Sequence, residues 1–331
     1  MISDIEFMNL TTRANDKDVE AMTVLHNFYF NENNFIDMSY DEDFIEHYER
    51  EAIENKPYSL YHLSQIYMFG LGVPKDMEKC MELLDKSFDC ECSQAYYLLA
   101  NLYQQDIVNS EKYRDFFGLL QKAKDLGNAN AYLILAANYE NKNKGRSIRY
   151  YLKAIELNHQ IGYLSLGEYY HDNSIYKLAR KYYRLGSKEK CAGCFFNLAV
   201  MYREGEGLEV DWSHALKLFK RSHRLGNKKA CACIGDIYER LGKFSVAKRY
   251  YKMGIKKSDP MSHYRLGRIY MDEFRTKKAL QLFIAGGKLG DEKCTNIVIR
   301  YGLHLDAEDK EINQCITLSK IFHNFGAFDI Y

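Results

Sequence analysis

The hydrophobic pattern of this chain is helical, and it comes round again about every three dozen residues. A leucine-like residue is followed four positions later by tyrosine in LHNFY, LSQIY, LANLY, LAANY, LGEYY, LAVMY, IGDIY, LGRIY and IVIRY. The tyrosines are Tyr29, Tyr67, Tyr103, Tyr139, Tyr170, Tyr202, Tyr238, Tyr270 and Tyr301, at spacings of 38, 36, 36, 31, 32, 36, 32 and 31 residues. Eight positions before the tyrosine the residue is small in every copy but the last: Ala21, Ser59, Ala95, Ala131, Gly162, Cys194, Ala230 and Ser262. Three before it stand Ser64, Ala100, Ala136, Gly167, Ala199, Gly235 and Gly267. Residues four apart share a helix face, and small residues beside such a stripe let two backbones approach.

A second module follows each anchor, clearest in ARKYYRLG, ALKLFKRS, AKRYYKMG and ALQLFIAG. It has a small first residue, apolar residues at +3 and +4, and another small residue at +7, which is again one face of a helix. From the +7 residue to the next tyrosine is always 15 or 16 residues, so the length variation lies inside the pair. One helix pair cannot bury its apolar face alone, but stacked neighbours can, which makes the expected architecture a solenoid. The expected organisation is a single solenoid domain over 1–331. Residues 17–57 form a degenerate N-terminal capping repeat, 58–291 seven repeats, and 292–331 a degenerate C-terminal capping repeat with a tail.

The glycines in YREGEGLEVD (202–211) invite a phosphate-binding reading, which the surroundings exclude. No strand pattern precedes them, no Lys-Ser/Thr follows, and Glu204, Glu206 and Glu209 would repel phosphate. Gly70, Gly72 and Asp76 stand in register with Gly205, Gly207 and Asp211, so the same loop occurs twice. The first glycine suits a left-handed helix end and the aspartate caps the next helix. With the residues AVMYREGEGLEVDWSHALKLFKRSHRLGN (199–227) and LSQIYMFGLGVPKDMEKCMELLDKS (63–87), the chain resembles the Sel1-like repeat family of the tetratricopeptide superfamily. The resemblance covers roughly residues 17–325, though only these two repeats carry the full glycine–aspartate loop. It implies an all-α, right-handed superhelical solenoid of about nine antiparallel helix pairs, acting as a non-enzymatic adaptor.

Composition adds little to the fold and more to the surface. Three prolines and 28 tyrosines favour helices packed through aromatic rings. The N-terminus lacks the basic and apolar runs of a secretion signal, and no segment reaches membrane-spanning length, so a cytoplasmic protein with no membrane partner is expected. The net charge of +1 conceals a polarity. Residues 1–57 hold 14 acidic and four basic side chains, whereas residues 142–257 hold 25 basic and 10 acidic ones. Such opposed fields allow self-association through the acidic N-terminal and basic central regions.

Chemistry is sparse. No HExxH, nucleophile elbow or Walker loop occurs, so no catalytic residue, cofactor or metal is expected. The pairs Cys191/Cys194 and Cys231/Cys233 have metal-like spacing, yet Cys194 occupies the small-residue ladder and two cysteines in a CxC on a helix point apart. The resemblance places ligand binding on the concave face lined by first helices. The candidates there for hydrogen bonding an extended peptide are Asn27, Gln65, Asn101, Gln104, Asn141, Glu168, Asn197, Arg265 and Arg268. On the convex face Arg149, Lys181, Lys217 and Arg249 recur at one position of four successive second helices, a basic stripe. An unknown protein or peptide partner on the concave face is the main expectation. The alternative is nucleic acid, or another polyanion, tracked by the stripe.

Overall fold

The computed structural model describes residues 4–15, 42–105, 115–304, 306–308 and 310–312. Among them there are seventeen α-helices, a further helical stretch at residues 310–312, and no strand. The chain divides into two compact units, residues 1–169 and 170–331. The N-terminal unit carries α1 (Asp4–Asn15), α2 (Glu42–Ile53), α3 (Pro57–Phe69), α4 (Met77–Asp89), α5 (Ser93–Gln104), α6 (Phe116–Asp125), α7 (Ala129–Tyr139) and α8 (Lys144–Glu156). The residues of α9 (Gln160–Asp172) are shared between the units. The C-terminal unit carries α10 (Tyr176–Lys188), α11 (Ala192–Glu204), α12 (Trp212–Arg224), α13 (Ala230–Arg240), α14 (Phe244–Lys256), α15 (Pro260–Asp272), α16 (Thr276–Lys288) and α17 (Glu292–Arg300).

Each unit is a run of antiparallel helix pairs: α3 with α4, α5 with α6 and α7 with α8 in one, α11 with α12, α13 with α14 and α15 with α16 in the other. First helices also touch one another, as α3 does α5 and α13 does α15. Both small-residue ladders are buried: Ser59, Ser64, Ala95, Ala100, Ala131, Ala136, Cys194, Ala199, Ala230 and Ser262 are all fully enclosed. The N-terminal helix α1 has no leucine–tyrosine anchor and escapes the repeat pattern. It is tied on by Asn15, whose side chain accepts from the Tyr58 amide (2.9 Å) and donates to Ser59 Oγ (2.9 Å). The anchor helix around Tyr29 and the second module around Cys315 lie outside the described residues.

One hydrogen bond explains how loops of different length serve one geometry. In the short loops Asn143, Ile175, Lys243 and Arg275 donate their amides to the carbonyls of Tyr139, Tyr170, Tyr238 and Tyr270, at 2.7–2.9 Å. In the two glycine–aspartate loops Asp76 and Asp211 donate to Tyr67 (3.0 Å) and Tyr202 (2.8 Å). All six donors occupy the cap position of a second helix, so each loop, short or long, returns to the anchor tyrosine. The long loop leaves its first helix through Gly205, which is left-handed at φ 78°. The Asp211 carboxylate then accepts from the His214 amide at 2.8 Å. Asp211→Ala should lower stability by about 1 kcal/mol, read as a reduced urea midpoint.

The turns between repeats are equally uniform. Cys92, Asn128, His159, Cys191, Asn227, Asp259 and Asp291 donate their amides to Ser87, Ala123, Ala154, Gly186, Ser222, Gly254 and Gly286, the +7 residues. This six-to-one closure fixes the constant 15–16-residue spacing. The +4 residues of the second helices fill the core: Leu84, Leu120, Tyr151, Tyr183, Phe219, Tyr251 and Phe283 are all nearly inaccessible. The +3 tyrosines are a different case from the expected buried pair. Tyr150, Tyr182 and Tyr250 are half-exposed, and Tyr182 and Tyr250 stack nearly parallel on the anchor rings of Tyr170 and Tyr238 (5.6 and 5.7 Å). The +4 side chain takes the interior, which leaves the +3 ring against its own repeat's anchor.

Candidate protein-interaction surface

Polar groups reach the first-helix face from beneath it, along the +4 tyrosines. The Tyr251 ring is buried, while its hydroxyl proton is shared between Asp236 Oδ1 (2.8 Å) and Glu239 Oε2 (2.7 Å) on α13. Asn197 on α11 donates to the Tyr183 hydroxyl (3.3 Å), and the Tyr151 hydroxyl donates to Glu140 (2.5 Å). A phenol that crosses the core must end on an acceptor, because a buried hydroxyl without one is costly. Leucine or phenylalanine at +4 has no such demand. The carboxylates at these positions are therefore held in place from below.

Charges then tie neighbouring first helices together. Arg265 of α15 reaches Asp236 of α13 at 2.8 Å, and Arg203 of α11 lies 3.5 Å from Cys233 Sγ of α13. Burial pushes the Asp236 carboxyl up, and the Arg265 charge and the Tyr251 hydroxyl oppose it. Burial raises the Cys233 thiol to about 11 despite Arg203, which keeps it a thiol rather than a nucleophilic thiolate. Cys231 is also raised by burial, and its Sγ sits 3.2 Å from His223 Nδ1. Among the described residues no cluster of three His, Cys, Asp or Glu could hold a metal. Nor is any helix there long and apolar enough to cross a membrane.

The sequence-derived residues fall in differing settings. In the N-terminal unit Asn101 is half-buried on α5, while Gln104, Asn141 and Glu168 are exposed. Gln65 is buried on α3, with 6% of its surface accessible. In the C-terminal unit Asn197 and Arg265 are half-buried and already hydrogen-bonded or ion-paired, whereas Arg268 is exposed. Asn27 lies outside the described residues. Arg149, Lys181, Lys217 and Arg249 are all exposed on second helices. Sequence reasoning missed the coupling of Arg265 to Asp236 and the tyrosine hydroxyls below. The signal available was tyrosine, in place of leucine or phenylalanine, at +4 of three second modules.

Comparison with known proteins places this arrangement. Residues 57–91, 131–159, 196–227 and 260–291 each match the Sel1 repeat. Four segments of the chain are thus Sel1-like repeats. No curated protein matches its sequence. Among solved structures it is similar to a Sel1 repeat protein from Oxalobacter formigenes, with TM-score 0.55 and 24% identity over 62% of this chain and 89% of that one. It is also similar to c5321, a protective antigen of uropathogenic Escherichia coli with an SLR fold (0.52; 20% identity; 89% and 67% covered). Yeast Tom70 follows at 0.53 and 16% identity, with 93% of this chain and 61% of that chain covered. At these identities the likeness is one of fold. The Sel1 matches include both glycine–aspartate loops as well as two short-loop repeats, consistent with the shared hydrogen bond to the anchor tyrosine carbonyl.

Proposed function

We propose that this protein is a non-enzymatic adaptor that binds a protein or peptide segment along its first-helix face. The observation that carries this reading is the set of polar side chains fixed on α11, α13 and α15 by Tyr183, Tyr251 and the Arg265–Asp236 pair. A surface ordered before binding loses less conformational entropy when a partner docks. The same face offers no activated nucleophile, since the thiols beside it are held protonated. Exposed Arg268 and Gln104 are the groups best placed to meet a partner directly.

A photo-cross-linking amino acid placed at Gln104 or Arg268 tests the proposal. Protein adducts formed from these positions, and reduced by competing partner, are the expected result. Adducts confined to nucleic acid, or to probes at Lys217 and Arg249 on the second helices, would instead favour the polyanion reading.

A further inference from the structure

The second helices of the C-terminal unit frame a groove of about 660 Å³ over α11. Its floor is apolar: the largely covered side chains of Phe195, Leu198 and Leu218 (4–7% accessible), and Leu225, which is 41% exposed. Its walls are cationic: Arg184 and Lys188 from α10, Arg221 and Arg224 from α12, and Lys190 from the turn after α10. No carboxylate lines it. Among the described residues these five cations form no salt bridge, although Arg221 lies over the Phe195 ring at 5.8 Å. A second, smaller hollow along α10, lined by Lys177, Arg180, Lys181 and Arg184, extends the positive surface.

The helix dipole accounts for cations collecting in the last turns of α10 and α12. It does not account for an apolar floor opening between them. Carboxylates alone, or a phosphate backbone, would use the walls and leave the floor wet. A segment bearing both carboxylates and a large apolar side chain uses both, covering the exposed Leu225 while meeting the unneutralised guanidinium groups. Aromatic anchors set among charges are the pattern that dominates binding energy at protein interfaces.

We propose that this groove docks an acidic protein segment that inserts a phenylalanine or leucine side chain between carboxylates. The site lies on the second-helix face and stands apart from the first-helix face proposed above, so either reading survives the failure of the other. Residues 31–43 of the chain, NENNFIDMSYDED, have this chemistry and make a second copy one such partner.

The test uses the full chain and three fluorescent probes: a synthetic peptide alternating Phe and Leu with paired Glu, the same peptide with Ser for Phe and Leu, and a single-stranded oligothymidylate. The apolar acidic peptide should bind, and the double charge reversal Arg184→Glu/Arg221→Glu should weaken it by roughly tenfold or more. The serine peptide should be weaker by a comparable factor. Both substituted residues are exposed, and an unchanged circular dichroism melt shows that the fold is intact. Leu225→Ser, which keeps every charge, should also weaken the first peptide. A concentration-dependent dimer abolished by the charge reversal supports the proposal with a second copy as occupant. Absence of peptide binding, equal binding of the serine peptide, or tighter binding of oligothymidylate to the same residues overturns it.

Discussion

Lowering the pH from about 7.5 to about 5 should destabilise the N-terminal unit by about 4 kcal/mol through two buried histidines. His62 is wholly enclosed, its ring 4.5 Å from that of Tyr48 and 5.8 Å from that of Phe44, and burial lowers its pKa to about 3. His159, in the turn after α8, is 1% exposed and lowered by burial to about 4. Above pH 6.5 both rings are neutral in the folded and unfolded chain, and their contribution is constant. Below that value the unfolded chain takes up protons that the folded chain refuses. Stability therefore falls by about 1.4 kcal/mol per pH unit for each histidine, down to the folded pKa. Urea unfolding followed by far-ultraviolet circular dichroism measures the slope. Replacing both residues with leucine should flatten it by the same amount, whereas an unchanged slope would refute the assignment. His171 works in the other sense in the C-terminal unit. Burial lowers its pKa, but the Glu206 carboxylate 2.8 Å away and Asp172 together raise it above the usual value, so its contribution is present at low pH and fades as pH rises through the folded value.

The second large effect concerns the contact that sets the distance between α13 and α14. A Cβ built on Gly235 falls onto the Tyr251 ring, at a separation no real pair of carbons shows. The ring cannot swing aside, because its hydroxyl is bound to both Asp236 and Glu239. Gly235→Ala should then cost about 1–3 kcal/mol by overpacking. Tyr251→Leu should cost about 3 kcal/mol, through lost volume and a half-buried Asp236 deprived of a donor. The double variant should lose less than the two singles together by about 1 kcal/mol or more, since the smaller side chain leaves room for the new methyl. Urea titration followed by the fluorescence of Trp212, the chain's single tryptophan, gives all three values. Strict additivity would show that the two residues do not meet. The next repeat repeats the relation, with a Gly267 Cβ 2.6 Å from the Phe283 ring.

Much of the fold was readable from spacing alone, for reasons these contacts make plain. The ladders through Ala95, Ala131 and Ala230 were visible because each sits where two backbones converge, and every repeat imposes the same limit on size. Asp76 and Asp211 were identifiable as caps because capping depends on residues within one turn of each other. Helix α1 was not visible, because it is held by individual contacts of Leu10, Thr11 and Asn15 rather than by a repeated pattern. The candidate surface was legible only in outline. Periodicity placed Arg268 on a first helix and Arg149, Lys181, Lys217 and Arg249 on second helices, each exposed. Periodicity did not reveal that Gln65 is buried, nor that Arg265 is occupied by Asp236.

By itself, then, the sequence determined the helix pairs, their small-residue contacts and the two loop types, since these follow from interactions between near neighbours repeated many times. Tertiary structure decided which polar groups share a surface. Asp236 and Arg265 are brought together across two helices, and Arg184 and Arg221 become opposite walls of one groove, only because the intervening turns hold those helices side by side. Charge acts through space, and distance across a stack of helices is not written in the spacing of residues along any one of them.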